Sequence, residues 1–267
     1  MTEQSLTLPA ADTDVRHMPG HWVLAQLGKR VLRSGGLGLT KQMLEALAIQ
    51  SDDHVVEFAP GMGVTTRLTL AQQPASYTAI ERDEVAAAHI GQLLDRPAYR
   101  CSVGTAERTG LADDAATVVY GEAMLTMQTH TAKQVIVREA YRILRHGGRY
   151  GIHELCLVPD TLDKSRKAEI QTAVSKAIRV SARPLTIAEW RALLEDEGFT
   201  VEAIQRAPMH LLEPQRIIQD EGLSQTLRFV VNILTQPQAR QHVLGMRNVF
   251  RVYRAHLAAV MLVVSKS

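Results

Sequence analysis

The sequence predicts an α/β chain built on a doubly wound, largely parallel sheet, and three observations predict it. The apolar segment Val55-Val56-Glu57-Phe58 runs directly into the turn Ala59-Pro60-Gly61-Met62-Gly63. Glu81 closes the next apolar run, Tyr77-Thr78-Ala79-Ile80, 18 positions after Gly63 (81 − 63). From residue 55 to 155, strand-like and helix-like stretches alternate at crossover lengths that suit parallel neighbours. Glycine is needed where the backbone turns sharply or lies against a ligand, because a Cβ blocks the approach. A carboxylate at Glu81 is placed to accept hydrogen bonds from both hydroxyls of a ribose. Together these features point to a nucleoside-binding protein.

The elements follow in order. Residues 1–14 read as a polar, acidic tail without the apolar stretch of a signal peptide. Helical segments follow at 21–33 and 40–48, separated by the breaker Ser34-Gly35-Gly36-Leu37-Gly38, so that residues 1–50 form a tail and helical cap before a main domain at 51–267. Beyond the strands at 55–58 and 77–80, the run Thr117-Val118-Val119-Tyr120 is a fourth strand, and Arg149-Tyr150-Gly151-Ile152 is a fifth. Helices are predicted at 162–178 and 186–197, the second opened by Thr186 as N-cap with Glu189 three residues on. Gly198 stops it, a sixth strand covers 199–204, and the last strand covers 258–264. Between those two strands, 214–218, 223–234 and 238–254 have helical composition, which defines a helical insertion over 213–256. Its apolar run 228–234 reads equally as a lid over the site or as a buttress or homodimer surface.

Composition narrows the partners. The 267 residues are 46% hydrophobic with a net charge of +2, enough for a full core and without a basic run that would suit nucleic acid. Cys101 and Cys156 form no metal-ligand pattern. No apolar stretch approaches the ~20 residues that span a bilayer, so neither stable membrane insertion nor secretion is expected, and the cytoplasm is the expected location.

Which nucleoside binds depends on the turn. A dinucleotide site wants a third glycine where the helix meets the strand, and Thr66 stands there. A cofactor without phosphates fits better. Glu57 inside an apolar parallel strand is costly without a ligand or backbone partner, which points the same way.

These residues, followed by Val103-Gly104-Thr105-Ala106-Glu107, by Gly121-Glu122-Ala123-Met124-Leu125 after the fourth strand, and by the helix and glycine turn of 138–149, resemble the class I S-adenosylmethionine-dependent methyltransferases, in the group that includes the ubiquinone and menaquinone biosynthesis enzymes. The resemblance covers roughly residues 22 to 205. It implies a Rossmann-like, seven-stranded sheet with an antiparallel last strand, S-adenosylmethionine as cofactor, and methyl transfer to a small organic acceptor by in-line displacement. It assigns cofactor binding to Glu57, Ala59, Pro60, Gly61, Gly63, Glu81, Arg82 and Glu122, with Thr105, Ala106 and Glu107 around the adenine. Arg33 and Gly35 are read as a clamp on the cofactor's amino-acid carboxylate. Ala59 stands where the family usually has glycine, and is expected to serve a turn of negative φ. Thr105 stands for a common aspartate and His146 for a common proline.

In open α/β sheets ligands sit beyond the carboxyl ends of the strands. His153 and Glu154, at the end of the fifth strand, are therefore the expected catalytic pair, with Glu122 after the fourth as a third candidate. His153 is the preferred base, and side-chain alternation makes only one of the pair face the acceptor. His130 and Met124, Met127 and Met209 are further pocket candidates. An NAD(P)-dependent oxidoreductase and a non-catalytic Rossmann-like binding protein are the alternative readings.

Overall fold

The computed structural model describes Asp14 and residues 17–267; the rest of the leading segment read as a tail lies outside the described residues. In chain order the elements are α1 (Gly20–Gln26), α2 (Gly36–Leu47), β1 (His54–Phe58), α3 (Val64–Leu70), β2 (Ser76–Glu81), α4 (Glu84–Gly91), β3 (Tyr99–Val103) and β4 (Ala116–Glu122). A 3-10 turn (Leu125–Met127), α5 (His130–Ile143), β5 (Leu144–Leu157), α6 (Lys164–Ile178), the two-residue β6 (Leu185–Thr186), α7 (Ile187–Glu195) and β7 (Phe199–Pro208) follow. The chain then runs through α8 (Pro214–Glu221), α9 (Leu223–Thr235) and α10 (Pro237–Val252) into β8 (Leu257–Lys266).

The sheet order is β3-β2-β1-β4-β5-β8-β7, with β6 added beside the end of β5. Strands β1 to β5 pair in parallel, and β8 enters antiparallel between β5 and β7. The seven-stranded, doubly wound prediction holds, and β6 is the short addition to it. Successive residues face opposite layers. Val56, Val119 and Leu262 pack under α5 and α7 with Ile136, Val137, Trp190 and Leu194, whereas Val55, Val118 and Val263 meet Leu39, Met43 and Leu47 of α2 and Ile90 of α4. A third apolar cluster joins α1, α6 and α10 to Leu155 and Leu157 at the end of β5, and so covers the carboxyl end of the sheet.

Beyond strands that run longer than expected, such as β5 and β7, three boundaries differ for a specific physical reason. The helix expected over 21–33 ends at Gln26, where Gly28 adopts φ +101° and the Leu27 and Gly28 carbonyls accept from Asn232 and Gln225 of α9. The helix expected at 40–48 starts at Gly36, because Asp220 of α8 accepts from the Leu37 N–H at 2.9 Å and supplies the missing cap. The helix and glycine turn expected over 138–149 resolve into α5, which stops at Ile143, and into an irregular start of β5 that carries Gly147 at φ +75°.

Of the two readings of the run 228–234, the lid is not taken up by the run itself, since none of its residues lines the cavity, which α10 covers instead. In α9 only Phe229 is buried, while Leu223, Leu227, Val230, Val231 and Leu234 point outward. What α8 contributes is anchorage: Glu221 accepts from the Arg30 and Val31 N–H groups at 2.9 and 2.8 Å and lies 3.5 Å from the buried Lys29 Nζ.

Candidate functional site

A cavity of about 290 Å³ lies against the carboxyl ends of the central strands, where the strand order reverses between β1 and β4. One part of its wall is the turn after β1 and the end of β2, namely Glu57, Ala59, Pro60, Gly61, Glu81, Arg82 and Asp83. Another is apolar and comes from the cover: Trp22 and Leu24 of α1, Val174 and Ile178 of α6, and Met246 and Phe250 of α10. Arg33, Glu122, Met124, Met127 and Met209 also line it, so the three methionines singled out in the sequence reach the cavity while His130 stays exposed at the start of α5.

Glu57 is buried in β1, and three hydroxyls converge on its Oε2: Thr66 at 2.9 Å, Tyr120 at 2.8 Å, and Tyr77. Oε1 has no hydrogen-bond partner among the described residues. Burial pushes the carboxyl up to about 7 against the pull of these donors. The buried charge that the sequence flagged is thus partly answered by protein hydroxyls, and one oxygen remains for a ligand.

The turn that follows is tight. Gly61 and Gly63 have φ of +56° and +68°, and a Cβ on Gly63 would lie 2.6 Å from Leu93 Cδ1, so Gly63 packs the turn against α4 and does not line the cavity. Ala59 has φ +51°, which corrects the expectation of a negative-φ turn. An L-residue there costs about 1 kcal/mol relative to glycine. Ala59→Gly should therefore raise Tm by roughly 2–4 °C, which a thermal melt of the two proteins checks; an unchanged or lower Tm counts against strain at this turn.

Glu81 sits at the tip of β2 with Oε2 3.3 Å from the Gly61 N–H and Oε1 3.1 Å from the Asp83 N–H. These bonds aim the carboxylate across the turn. Arg82 and Asp83 continue the same wall, and Asp83 caps α4 through the Ala86 N–H.

Glu122, at the end of β4, is the centre of a buried ionic cluster and caps no helix. Arg33 Nε lies 3.1 Å from its Oε1, His153 Nδ1 2.7 Å from the same oxygen, Thr40 Oγ1 donates to it at 2.6 Å, and Thr65 Oγ1 donates to Oε2. Burial works to raise the Glu122 carboxyl, but Arg33, then His153 and Thr40, overcome it and hold it at about 2. Arg33 lines the cavity with Nη2 buried and unpartnered.

The expected catalytic pair is placed differently. His153 is fully buried and absent from the cavity wall; its Nε2 lies 2.6 Å from the Ser34 carbonyl and its Nδ1 faces Glu122. Both nitrogens face oxygen acceptors, so the ring ties the Arg33-Ser34 segment to the sheet and cannot serve as a base toward the cavity. Gly35 lets this happen, because a Cβ there would lie 3.1 Å from His153 Nε2 and 2.8 Å from Ala259 Cβ. Glu154 is also fully buried. It accepts from the Met124, Leu125 and Thr126 N–H groups at 3.0, 2.8 and 2.9 Å and from Thr126 Oγ1 at 2.7 Å, so it fixes the loop after β4. Burial raises its carboxyl and those four donors oppose it.

Other expected residues are not brought to the cavity. Thr105 is exposed in a bridge with Arg108, Ala106 is buried in the core beneath α5, and Glu107 is absent from the wall. In turn the cavity shows residues that sequence reasoning missed. Thr65 carried no sequence signal, nor did Thr40, which lies off the wall and acts through Glu122, and Trp22, Met246 and Phe250 looked like ordinary core. His21 lines the cavity beside Trp22, and burial, then Arg82, lowers its imidazole to about 4.

This donor set fits an amino acid joined to a nucleoside: an orphan guanidinium nitrogen for a carboxylate, the free oxygen of Glu57 for an ammonium, and Glu81 for ribose hydroxyls. Fold and donor set are those expected of a nucleoside-binding α/β protein without a pyrophosphate cradle.

The comparisons narrow this class. Residues 56–152 match the family described as Methyltransferase domain. An uncharacterized protein of Haemophilus influenzae is 30% identical over 227 residues, 83% of this chain and 88% of its own length. The cyclopropane synthase MmaA2 of Mycobacterium tuberculosis has a TM-score of 0.66 at 15% identity, covering 86% of this chain and 84% of that one. Haemonchus contortus phosphoethanolamine N-methyltransferase 2, solved with phosphomonomethylethanolamine and S-adenosylhomocysteine, has a TM-score of 0.69 at 12% identity, covering 92% of this chain and 57% of that one. Residues 56–152 thus form a methyltransferase domain, and the fold of the chain is that of the class I S-adenosylmethionine-dependent methyltransferases. The narrower quinone-biosynthesis group rests on the sequence motifs alone.

Proposed function

We propose that this chain transfers a methyl group from S-adenosylmethionine to a small, largely apolar organic acceptor held between the glycine turn and the helical cover. The observation that carries the reading is the single cavity in which Arg33, Glu57 and Glu81 line one part and the apolar side chains of α1, α6 and α10 line another. The bound cofactor supplies an electrophilic methyl group on a sulfonium, open to in-line displacement. Arg33 Nη2 holds the cofactor's carboxylate, Glu57 faces its amino group, and Glu81 takes the ribose hydroxyls. Met124, Met127, Met209 and Phe250 shape the acceptor side and exclude water, which serves alignment more than covalent chemistry. His21 is the imidazole on the wall, uncharged at neutral pH and able to accept a hydrogen bond from the acceptor.

The described residues of the 1–50 segment act in this reading as a cap to the domain at 51–267, and the outward stripe of α9 is the surface for a homodimer. The same reading places the enzyme in the cytoplasm; no helix among the described residues is long and apolar enough to cross a membrane. Calorimetric titration with S-adenosylhomocysteine should give micromolar binding, with none for NADH. Binding of NADH alone, or of neither, overturns the proposal.

A pH experiment tests the assignment of Glu57. Its folded-state value is raised from 4.5 to about 7, so the stability it contributes is full below 4.5 and is lost as pH rises through 7. An ammonium placed beside Oε1 restores the charged form, so cofactor binding at pH 6 should release up to one proton and binding at pH 9 none. Titrations in buffers of different ionisation enthalpy measure this. Equal heats in all buffers at pH 6, or proton release retained in Glu57→Gln, would show that the amino group lies elsewhere.

A further inference from the structure

A second cleft, of about 710 Å³, opens between the loop after β7, α8 and the end of α10, and it is strongly basic. Arg216, Arg247, Arg251 and Arg254 line it with His210, and Glu213 is the one acidic side chain on its wall. Glu213 is taken by Arg247 Nη2 at 3.1 Å, and Arg216 reaches Asp220 only at 4.0 Å. Arg247 Nε is buried with no partner, and neither Arg251 nor Arg254 forms an ion pair among the described residues. The charge belongs to the whole segment: from Gly222 to Ser267 there is no Asp or Glu, while Arg228 in α9 and Arg240, Arg247, Arg251 and Arg254 beyond it precede β8. Four guanidinium groups around one cleft repel each other, and a bound dianion turns that repulsion into charge-assisted hydrogen bonds.

The cleft is also built against the acceptor cavity. Met209, Leu211 and Phe250 line both, so one apolar wall separates the arginines from the space assigned to the acceptor. We infer that the cleft binds the phosphate group of an anionic ligand. Two sources share that chemistry: the headgroup of an amphiphilic acceptor whose apolar part passes the Phe250 wall into the cavity, or a separate phosphate. The first deepens the methyltransferase reading and rests on it; the second does not.

The test is calorimetry on the full chain saturated with S-adenosylhomocysteine, using inorganic phosphate and decyl phosphate below its micelle concentration as probes. Both should bind, and the double variant Arg251→Gln/Arg254→Gln should weaken both by about tenfold or more at low salt. These two side chains are exposed and lie outside the cavity, so the variant should keep its affinity for S-adenosylhomocysteine, which also reports that it has folded. Decyl phosphate binding at least tenfold tighter than inorganic phosphate assigns the site to an amphiphilic acceptor, and equal affinities assign it to a separate anion. Failure of both probes on a protein that binds S-adenosylhomocysteine overturns the phosphate site alone, as does a double variant that binds like the parent. Failure to bind S-adenosylhomocysteine itself overturns the methyltransferase reading instead.

Discussion

Glu122→Gln should lower the stability of the chain by about 3–5 kcal/mol, because it leaves Arg33 and His153 facing an amide in a buried site. For a chain of this size that is a fall in Tm of roughly 6–20 °C. The effect should depend on pH in a defined direction. Arg33, His153 and Thr40 hold the carboxyl at about 2 against its burial, so its contribution is present above the ordinary value of 4.5 and is lost as pH falls from there through 2. The parent should lose stability over that window while the variant loses less, and the two curves should converge in acid. Affinity for S-adenosylhomocysteine should fall as well, since Arg33 is no longer pinned. Parallel curves at every pH would show that Glu122 is not the charged centre of this cluster. His153→Gln separates positioning from base catalysis. A positioning residue gives up stability and cofactor affinity together, whereas a base gives a kcat loss with the limb of the pH profile removed and Tm preserved.

Glu81→Ala should cost S-adenosylhomocysteine affinity by about 10–100-fold, the worth of charged hydrogen bonds to two ribose hydroxyls. Its effect on folding should be small, because the bonds it makes in the protein are to the Gly61 and Asp83 N–H groups at the rim of the cavity. Isothermal titration beside a thermal melt checks both halves. Wild-type affinity in Glu81→Ala would move the ribose elsewhere and with it the assignment of this part of the cavity.

Much of the fold was legible because it is written in local patterns. Val55 to Phe58 and Tyr77 to Glu81 are strands by composition, Thr186 and Glu189 form the predicted capping box, and the antiparallel last strand came with the family resemblance. What was not legible depends on residues far apart in sequence. The start of α2 needs Asp220, the end of α1 needs Gln225 and Asn232, and no window around either helix contains them. The same holds for the site. Glu57, Glu81 and the glycine turn could be read because one short segment builds them. The position of His153 could not, because strand alternation says which faces a side chain can take but not that Ser34 arrives to fill one of them. Ala59 shows a third kind of limit, since a left-handed backbone is visible in sequence only when glycine marks it.

The anchorage of α2 and the Arg30-Val31 segment on α8 bears on how the protein is made. The carboxylate that starts α2 is synthesised 183 residues after the amide it binds. A ribosome therefore releases the glycine turn and the parallel strands well before Asp220 and Glu221 can secure the stretch that carries Arg33, and before β8 can slot between β5 and β7. The segments made first can display the glycine turn but not the Arg33 stretch in its anchored position, so the cavity wall proposed to hold the cofactor assembles only after the insertion helices have emerged.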